Sequence, residues 1–211
     1  AKAAAEALGG GAVGVGLPVE ERAAWGPALD AVEAALGPVD ALIANAGISP
    51  RREGRKVAFG GEGDEEVWAR TLAVNVEGAV EGCRQVARRL TARGAPGALL
   101  VTSSIAGISA IPFVSSYYCT SKAALLGFVR SAAFDLGPAG IRINAIAPGR
   151  IDSDMVRASG DAVNAAVVEA TALKRLGTAR ELGEAAEFLI SDRASFVTGT
   201  CLNVTGGWAE A

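Results

Sequence analysis

Short apolar runs alternate with helix-length segments along this 211-residue chain, and that alternation is what most limits its possible folds. The clearest runs are VDALIAN, ALLVTS and IRINAIA, at residues 39–45, 98–103 and 141–147. Runs of this length and composition are typical of strands buried on both faces of a sheet. Shorter runs at 12–17 and 200–204 extend the pattern. Strands separated by helices predict βαβ units, and therefore an α/β fold with a parallel sheet between two helical layers.

The helices are predicted to fill the intervals between these strands. Asp64 is expected to cap the first of the two longest helices, because carboxylates stabilise helix N-termini. We find no repeat, low-complexity tract or linker, and we expect a single domain over residues 1–211. The helices are predicted at 1–8, 18–36, 64–90, 116–137 and 180–190, with two short ones between 151 and 173.

Residues 9–14 match the pattern G-x-G-x-x-G that binds dinucleotide phosphates in other proteins. That loop must follow a strand and open a helix, so that the helix N-terminus faces the phosphates. Here a predicted helix precedes the glycines and a predicted strand follows them. We therefore interpret Gly9–Gly11 as a helix stop and turn.

The composition excludes several classes of function. The chain contains no histidine, so Ser-His-Asp and Cys-His catalysis and imidazole zinc sites are impossible, and we predict no metal site. Its 20 basic and 23 acidic residues give a net charge of −3, which disfavours nucleic acid and anionic membranes as partners. The uncharged stretch 94–121 contains too much Ser, Thr, Gly and Pro to span a membrane.

The cysteine pattern predicts a reducing compartment. Cys83, Cys119 and Cys201 are odd in number and widely spaced, so neither a disulfide framework nor a metal site is indicated. No charged n-region followed by an apolar segment opens the chain, which argues against a signal peptide. We therefore expect a cytoplasmic protein.

Tyr118 and Lys122 are the first candidates for chemistry. They lie four residues apart near the start of a predicted helix, which places them on one face. A free tyrosine has a pKa of about 10, and a neighbouring ammonium is expected to lower it. The pair can thus replace histidine in acid–base catalysis, although an exposed Tyr and a solvated Lys would show the same spacing. Tyr117 lies off the face of Lys122.

Other candidates cluster where predicted strands end. Ser103–Ser104, Asn45–Gly47 and Pro148–Gly149 each follow a strand, and ligands of open parallel sheets bind at that edge. Asn75 lies between valines inside a long predicted helix. A buried amide there must find specific hydrogen-bond partners, in a binding site or simply in the core.

Taken together in chain order, these motifs resemble the short-chain dehydrogenase/reductase family. The signatures are Ala44–Gly47 (ANAG), Asn75, Ser103–Gly107 (SSIAG), Tyr118–Lys122 (YCTSK) and Pro148–Ile151 (PGRI). The similarity covers almost the whole chain and is strongest to 3-oxoacyl-[acyl-carrier-protein] reductases and to sugar or polyol dehydrogenases. It implies a Rossmann-type, doubly wound parallel sheet and an NAD(P)-dependent oxidoreductase that interconverts a secondary alcohol and a ketone.

The resemblance also implies roles for individual residues. Tyr118 would exchange the proton with the substrate oxygen, and Ser104 would hydrogen-bond that oxygen. Lys122 would lower the pKa of Tyr118 and bind the nicotinamide ribose, and Asn75 would hold a water behind Lys122. NAD or NADP would be the cofactor, and its binding residues would be Asn45, Ala46, Gly47, Tyr118, Lys122, Pro148, Gly149, Ile151 and Ser153.

The substrate implied is a small carbonyl or alcohol compound, in a pocket walled by residues 108–114 and 150–170. The long helices 64–90 and 116–137 resemble the pair through which the family forms dimers and tetramers, so a homo-oligomer is expected. The basic loop 49–63 is a solvated loop, a lid, or a contact for a phosphorylated or acidic substrate.

One departure from the family concerns its first βαβ unit, which contains the glycine-rich turn and which this sequence lacks. In the family's strand order the strand at 12–17 would be third and the strand at 39–45 fourth, with two absent strands between them. We therefore expect that the native protein has a further N-terminal segment. The alternative function is a non-catalytic scaffold that keeps the fold for oligomerisation and binds no dinucleotide.

Overall fold

Four parallel strands form the central sheet of the computed structural model, which describes residues 1–52, 55–61, 63–157 and 159–208. In chain order, the strands of the protein are β1 (Ala41–Ala44), β2 (Arg51–Arg52), β3 (Arg55–Lys56), β4 (Gly97–Thr102), β5 (Ile141–Pro148) and β6 (Cys201–Val204). The sheet order is β1-β4-β5-β6, and β2 and β3 form a separate short antiparallel pair. The predicted strands at 39–45, 98–103, 141–147 and 200–204 are confirmed within two residues at each end.

Helices connect the strands, as the alternation predicts. They are α1 (Lys2–Leu8), α2 (Trp25–Leu36), α3 (Asp64–Leu72), α4 (Ala79–Arg93), α5 (Ser116–Leu136), α6 (Asp154–Arg157), α7 (Asp161–Ala170) and α8 (Ala179–Ile190). A π-helical segment, Ala73–Gly78, joins α3 to α4. Short 3₁₀ turns occupy Arg22–Ala24, Ile105–Gly107, Gly137–Ala139 and Asp192–Ala194.

Two apolar layers enclose the sheet, as expected for a doubly wound fold. Successive side chains of a strand point to opposite faces. Leu99 and Val101 of β4 belong to the core cluster formed with α2, α4 and α5. Leu100 packs instead with Leu189 of α8 on the other face. Both faces of β4 are therefore buried, which explains why its sequence is continuously apolar.

The predicted strand at residues 12–17 is wrong. This segment has no regular secondary structure, and β1 is an edge strand in the part of the chain that the structure describes. Glycines at 14 and 16 disfavour an extended run, and a strand without a partner leaves its backbone groups unpaired. The interpretation of the preceding glycines is confirmed, since Gly9 ends α1 and Gly9–Gly11 all have positive φ.

The helix predicted at 18–36 begins later than expected. The α-helix α2 begins at Trp25, after the 3₁₀ turn Arg22–Ala24. Pro27 explains the difference, because proline lacks an N–H and is tolerated only in the first turn of a helix. The Trp25 indole fixes this start by donating to the Val19 carbonyl at 2.9 Å.

The long helix predicted at 64–90 is a continuous run of α3, the π-helical segment and α4. Gly63 is its N-cap, so Asp64 is not the capping residue. The Asp64 carboxylate instead accepts hydrogen bonds from the Gly60 amide and from the Tyr117 hydroxyl. No helix among the described residues is long and apolar enough to cross a membrane.

A close backbone contact sets the distance between β4 and α5. A Cβ atom on Gly107 would lie 2.7 Å from the Lys122 carbonyl carbon and 2.8 Å from the Ala123 nitrogen. Such distances are below van der Waals contact, so only glycine lets the turn Ile105–Gly107 pack directly on α5. The turn follows Ser104, and its position therefore controls where Ser104 lies relative to α5.

Substituting Gly107→Ala is expected to lower the free energy of unfolding by about 1–3 kcal/mol, because the added methyl forces backbone apart. Gly183→Ala in α8 is the matched control, since a Cβ at Gly183 would meet no atom within 4 Å. The control should raise stability by about 0.5–1 kcal/mol. Urea denaturation measures the free energy of unfolding of both variants. Equal changes in the same direction for the two variants would contradict the packing argument.

Candidate active site

Lys122 is the buried centre of the candidate site. Only 3% of its surface is exposed, and its Nζ donates to the Thr102 carbonyl at 2.7 Å. The Ser103 hydroxyl donates to the backbone carbonyl of Lys122, also at 2.7 Å. The end of β4 therefore forms hydrogen bonds with both the side-chain amine and the backbone carbonyl of Lys122. Burial lowers the pKa of Lys122 to about 8, because the charged form loses its hydration.

Tyr118 lies beside this ammonium and beside Ser104. The Lys122 Nζ is 5.7 Å from the centroid of the Tyr118 ring. Burial raises the pKa of Tyr118, and a hydrogen bond with Ser104 partly offsets that rise. The net pKa of Tyr118 is therefore raised, because desolvation of the phenolate outweighs this favourable interaction. The expectation that Lys122 lowers this pKa stays a prediction.

The neighbouring Tyr117 faces a different part of the molecule. Its hydroxyl donates to Asp64, and its ring packs against Phe59 and Trp68 with centroid distances of 6.2 and 5.6 Å. The side chains of the two adjacent tyrosines therefore point to different parts of the molecule. This agrees with the helical spacing, which places only Tyr118 on the same face as Lys122. Tyr117 ties α5 to the start of α3.

Asn75 anchors the loop that follows β1. Its Oδ1 accepts from the Ile48 amide at 2.7 Å, and its Nδ2 donates to the Ile48 carbonyl at 2.9 Å and to the Ser121 hydroxyl at 3.0 Å. The side chain is fully buried and lies in the π-helical segment. Its amide is thus committed to protein partners, and its role in holding a water stays a prediction.

The predicted cofactor residues after β1 lie next to Lys122. A Cβ on Gly47 would be 3.2 Å from the Lys122 Nζ and 3.4 Å from the Asn75 Oδ1, so this backbone passes directly over both side chains. Asn45 and Ala46 are exposed to solvent. The loop therefore presents an accessible surface directly beside the buried pair.

The second group of predicted cofactor residues follows β5. Pro148 is the last residue of β5 and pairs with Val204, and the Gly149 amide donates to the Val204 carbonyl. Ile151 bridges to Gly177. The Ser153 hydroxyl accepts from the Val156 amide at 3.4 Å at the start of α6. The structure thus places these residues on the same edge of the sheet as Ser104.

A small cavity of about 90 Å³ opens against Ser104 and Tyr118. Residues from both segments predicted to wall the pocket line it, including Ile111, Phe113, Val114, Arg150, Met155, Val156 and Ser159. Sequence reasoning did not place Trp208 here, where its ring stacks on Phe113 at 6.1 Å. Nothing in the local sequence around Trp208 signals this contact. The described residues contain no cluster of acidic or cysteine side chains suited to a metal ion.

Comparison with known proteins identifies the family. Residues 1–209 match the family model described as enoyl-(acyl carrier protein) reductase. The chain is 35% identical to nodulation protein G of Azospirillum brasilense over 83% of this chain and 68% of that protein. It is 36% identical to inactive 2-(S)-hydroxypropyl-CoM dehydrogenase 2 of Xanthobacter autotrophicus, covering 98% and 88% of the two chains. For the 3-oxoacyl-[acyl-carrier-protein] reductase FabG of Escherichia coli, the identity is 32% and the coverage 98% and 82%.

The chain belongs to the short-chain dehydrogenase/reductase family. A solved 3-oxoacyl-[acyl-carrier protein] reductase from Brucella melitensis with bound NAD has a TM-score of 0.84 and 33% identity, over 94% of this chain and 72% of that one. A structure titled ElxO with NADP bound has a TM-score of 0.81 and 25% identity, with coverages of 92% and 77%. Relatives within this family therefore bind NAD or NADP. The predicted fold class and the assignment to the NAD(P)-dependent oxidoreductases are confirmed.

Substituting Lys122→Met is expected to remove a pH-dependent cost of folding. Below pH 8 Lys122 is charged in both the folded and the unfolded protein. Folding therefore includes the full free-energy cost of removing this charge from water. Between about pH 8 and 10.5 the folded protein releases this proton before the unfolded chain does, so native stability rises with pH. From pH 7 to pH 10, the free energy of unfolding of the wild type should rise by about 2–3 kcal/mol relative to the variant.

Urea denaturation at the two pH values measures this difference. Lys2→Met is the matched control, because Lys2 is exposed on α1. The difference in the free energy of unfolding between this control and the wild type should be the same at both pH values. If the corresponding difference for Lys122→Met is also independent of pH, the buried lysine does not titrate as described.

Proposed function

We propose that this short-chain dehydrogenase/reductase interconverts a secondary alcohol and a ketone, with Tyr118 exchanging the proton at the substrate oxygen. The observation that carries the proposal is the arrangement of Ser104, Tyr118 and Lys122 at the carboxyl edge of the sheet. The Ser104 side chain acts on Tyr118 by lowering its pKa, and the Lys122 Nζ lies 5.7 Å from the centroid of the Tyr118 ring. The small cavity opens directly onto the first two of these side chains.

The residues beside this arrangement fit the nicotinamide end of a dinucleotide. The backbone at Gly47 passes closely over Lys122, since a Cβ there would lie 3.2 Å from its Nζ, while Asn45 and Ala46 remain accessible. Gly149 likewise approaches the backbone of Thr205, since a Cβ would lie 2.8 Å from its Cα. NAD(P) bound there would carry the hydride. Asn45–Gly47 would hold its ribose side, and residues 148–153 its nicotinamide side.

The chain's own side chains divide the remaining tasks. Ser104 donates a hydrogen bond to the substrate oxygen and keeps it beside the Tyr118 hydroxyl. Tyr118 gives its proton to that oxygen during ketone reduction and takes one back during alcohol oxidation. Lys122 provides the positive charge that stabilises the phenolate between these events. Asn75 positions Lys122 from behind through Ser121 and Ile48.

The names of relatives favour 3-oxoacyl thioesters among the possible ketones. Both FabG of E. coli and the Brucella protein are 3-oxoacyl-[acyl-carrier-protein] reductases. We keep sugar or polyol oxidation as the second substrate class, because the cavity combines apolar walls with hydroxyl and guanidinium groups.

The non-catalytic scaffold is the second candidate function. A relative of 36% identity is named as inactive, so family membership alone does not make a chain catalytic. Against this alternative, the four side chains at positions 75, 104, 118 and 122 are present and contact one another or the same buried segment.

Substituting Tyr118→Phe is expected to lower kcat for ketone reduction at least about 100-fold, since positioned general acids contribute about 10²–10⁴-fold. Tyr117→Phe is the matched control, because it removes the adjacent hydroxyl, whose partner is Asp64 rather than Ser104. The control should retain kcat within about threefold. Turnover is followed as NADH or NADPH consumption with a panel of ketones. Retention of turnover by Tyr118→Phe would refute the mechanism.

We also propose a homo-oligomer, either a dimer or a tetramer, formed through α5. This helix exposes the small residues Ala124, Gly127 and Ser131 and, on the same side, Phe134, whose surface is 85% accessible. A face of small residues lets two helices approach closely, and an exposed phenylalanine favours burial against a second copy.

Phe134→Glu is expected to reduce the mass in solution to that of the 21.2 kDa chain, as measured by light scattering. The wild type should have at least twice that mass. Ser131→Ala serves as the control, because it keeps the face small. A wild type that is already monomeric would refute the oligomer proposal.

A cytoplasmic location is proposed on the chemistry of the thiols. Cys83, Cys119 and Cys201 are all free. Burial raises the pKa of Cys83 to about 12, which makes it a packing residue rather than a nucleophile.

A further inference from the structure

Basic side chains line the cavity beside Ser104 and Tyr118. Two guanidinium groups, those of Arg51 and Arg150, line it, and none of its described lining residues is acidic. The two arginines come from different parts of the sequence, one from β2 and the other from the segment that follows β5. Their convergence is therefore a property of the fold and not of a local basic segment.

Arg150 is held in one orientation by neutral groups. Its Nε and Nη2 donate to the Asn164 Oδ1 at 3.0 and 2.7 Å. Its Cζ lies 5.2 Å from the centroid of the Phe113 ring, and Phe113 is in turn stacked on Trp208. Among the described residues, no carboxylate forms an ion pair with Arg150. An amide and an aromatic ring orient the guanidinium while leaving its positive charge uncompensated.

The hydrogen-bonding capacity of Arg150 is only partly used. A guanidinium has five N–H donors, and Asn164 accepts two of them. The donors on Nη1 make no hydrogen bond within the described part of the chain. A planar group with free donors on one side is suited to binding a carboxylate or phosphate through two oxygens.

Arg51 adds a second positive charge close to the first. Its Nη2 donates to the hydroxyl of Ser159, at 3.0 Å, and Ser159 lies in the cavity wall between α6 and α7. The pKa of Arg150 is lowered, first by burial and then by the charge of Arg51. Arg150, which is partly desolvated and repelled by a second guanidinium, is stabilised when an anion lies beside it.

We propose that the substrate of this site carries an anionic group, a carboxylate or a phosphate, that Arg150 binds together with Arg51. The carbonyl of the same molecule then lies at Ser104 and Tyr118. The proposal rests on the proposed ketone chemistry only for that second contact. Anion binding itself is a separate property of Arg150 and can be measured without turnover.

The test compares ketones that differ only in charge. Levulinate and methyl levulinate form a carboxylate pair, and dihydroxyacetone phosphate and dihydroxyacetone form a phosphate pair. Binding is followed by tryptophan fluorescence, because Trp208 lines the cavity, and by calorimetry. At least one anion should bind about tenfold or more tightly than its neutral counterpart.

Arg150→Gln should reduce that preference to less than about threefold. Arg150→Lys should restore part of it, because lysine keeps the charge but not the planar pair of donors. Arg180→Gln is the matched control, since Arg180 lies on the surface of α8 and pairs with Glu184. The control should bind like the wild type. Thermal melts of all variants show whether each one is folded.

The outcomes separate this proposal from the proposed function. If neither anion binds more tightly than its neutral counterpart, or if Arg150→Gln leaves the preference intact, the anion proposal is wrong, whatever the ketone turnover. If the Arg150-dependent preference is present but no ketone consumes NADH or NADPH, the anion site stands and the proposed function fails. The pair with the larger preference decides between carboxylate and phosphate.

Discussion

The burial of the Lys122 ammonium is the constraint on which the rest of this site depends. A charged group removed from water costs several kcal/mol unless nearby dipoles compensate it. Here the Thr102 carbonyl accepts from Nζ, and Ser103 fixes the carbonyl of Lys122 itself. The end of β4 and the first turns of α5 are therefore joined through one residue. Any shift of α5 along the sheet would leave that charge without its acceptor.

Asn75 extends this constraint to the loop after β1. The amide contacts Ser121, one residue before Lys122, and both backbone groups of Ile48. It does so from a π-helical segment, which widens the helix locally and is often found at functional sites. Three elements distant in sequence thus meet behind the reacting groups. This arrangement keeps the accessible loop at Asn45 in register with Tyr118.

The sequence predicts the parts of this molecule that depend on local patterns. Apolar runs such as IRINAIA identify the buried strands, because both of their faces are covered by helices. The four-residue spacing selects Tyr118 over Tyr117, since helical geometry alone separates the two side chains. The segment 12–17 shows the limit of such patterns, because an apolar run forms a strand only where a partner strand is available. Pro27 was a visible signal for the start of α2 that the apolar pattern obscured.

Properties that depend on distant contacts could not be predicted. The pKa of Tyr118 is set by how completely the fold removes its hydroxyl from water, and spacing to Lys122 says nothing about that balance. Arg51, Arg150 and Trp208 meet only because the loops after β1, β5 and β6 reach the same cavity. The sequence therefore predicts the acid–base residues and the segments that wall the pocket, including the basic loop that contains Arg51. It does not predict which side chains of these segments converge on the cavity, nor the contact made by Trp208.

The charge of the cavity also bears on the chemistry of Tyr118. Positive charges near a phenol favour its ionised form, and Arg150 shares the cavity with this hydroxyl. An anionic group bound by Arg150 and Arg51 would cancel much of that field at the moment when the carbonyl reaches Ser104. Burial already raises the pKa of Tyr118, so the loss of this field would add to the forces that keep the proton on the phenol. The proposed anion site would therefore favour ketone reduction, in which Tyr118 must carry its proton when the substrate binds.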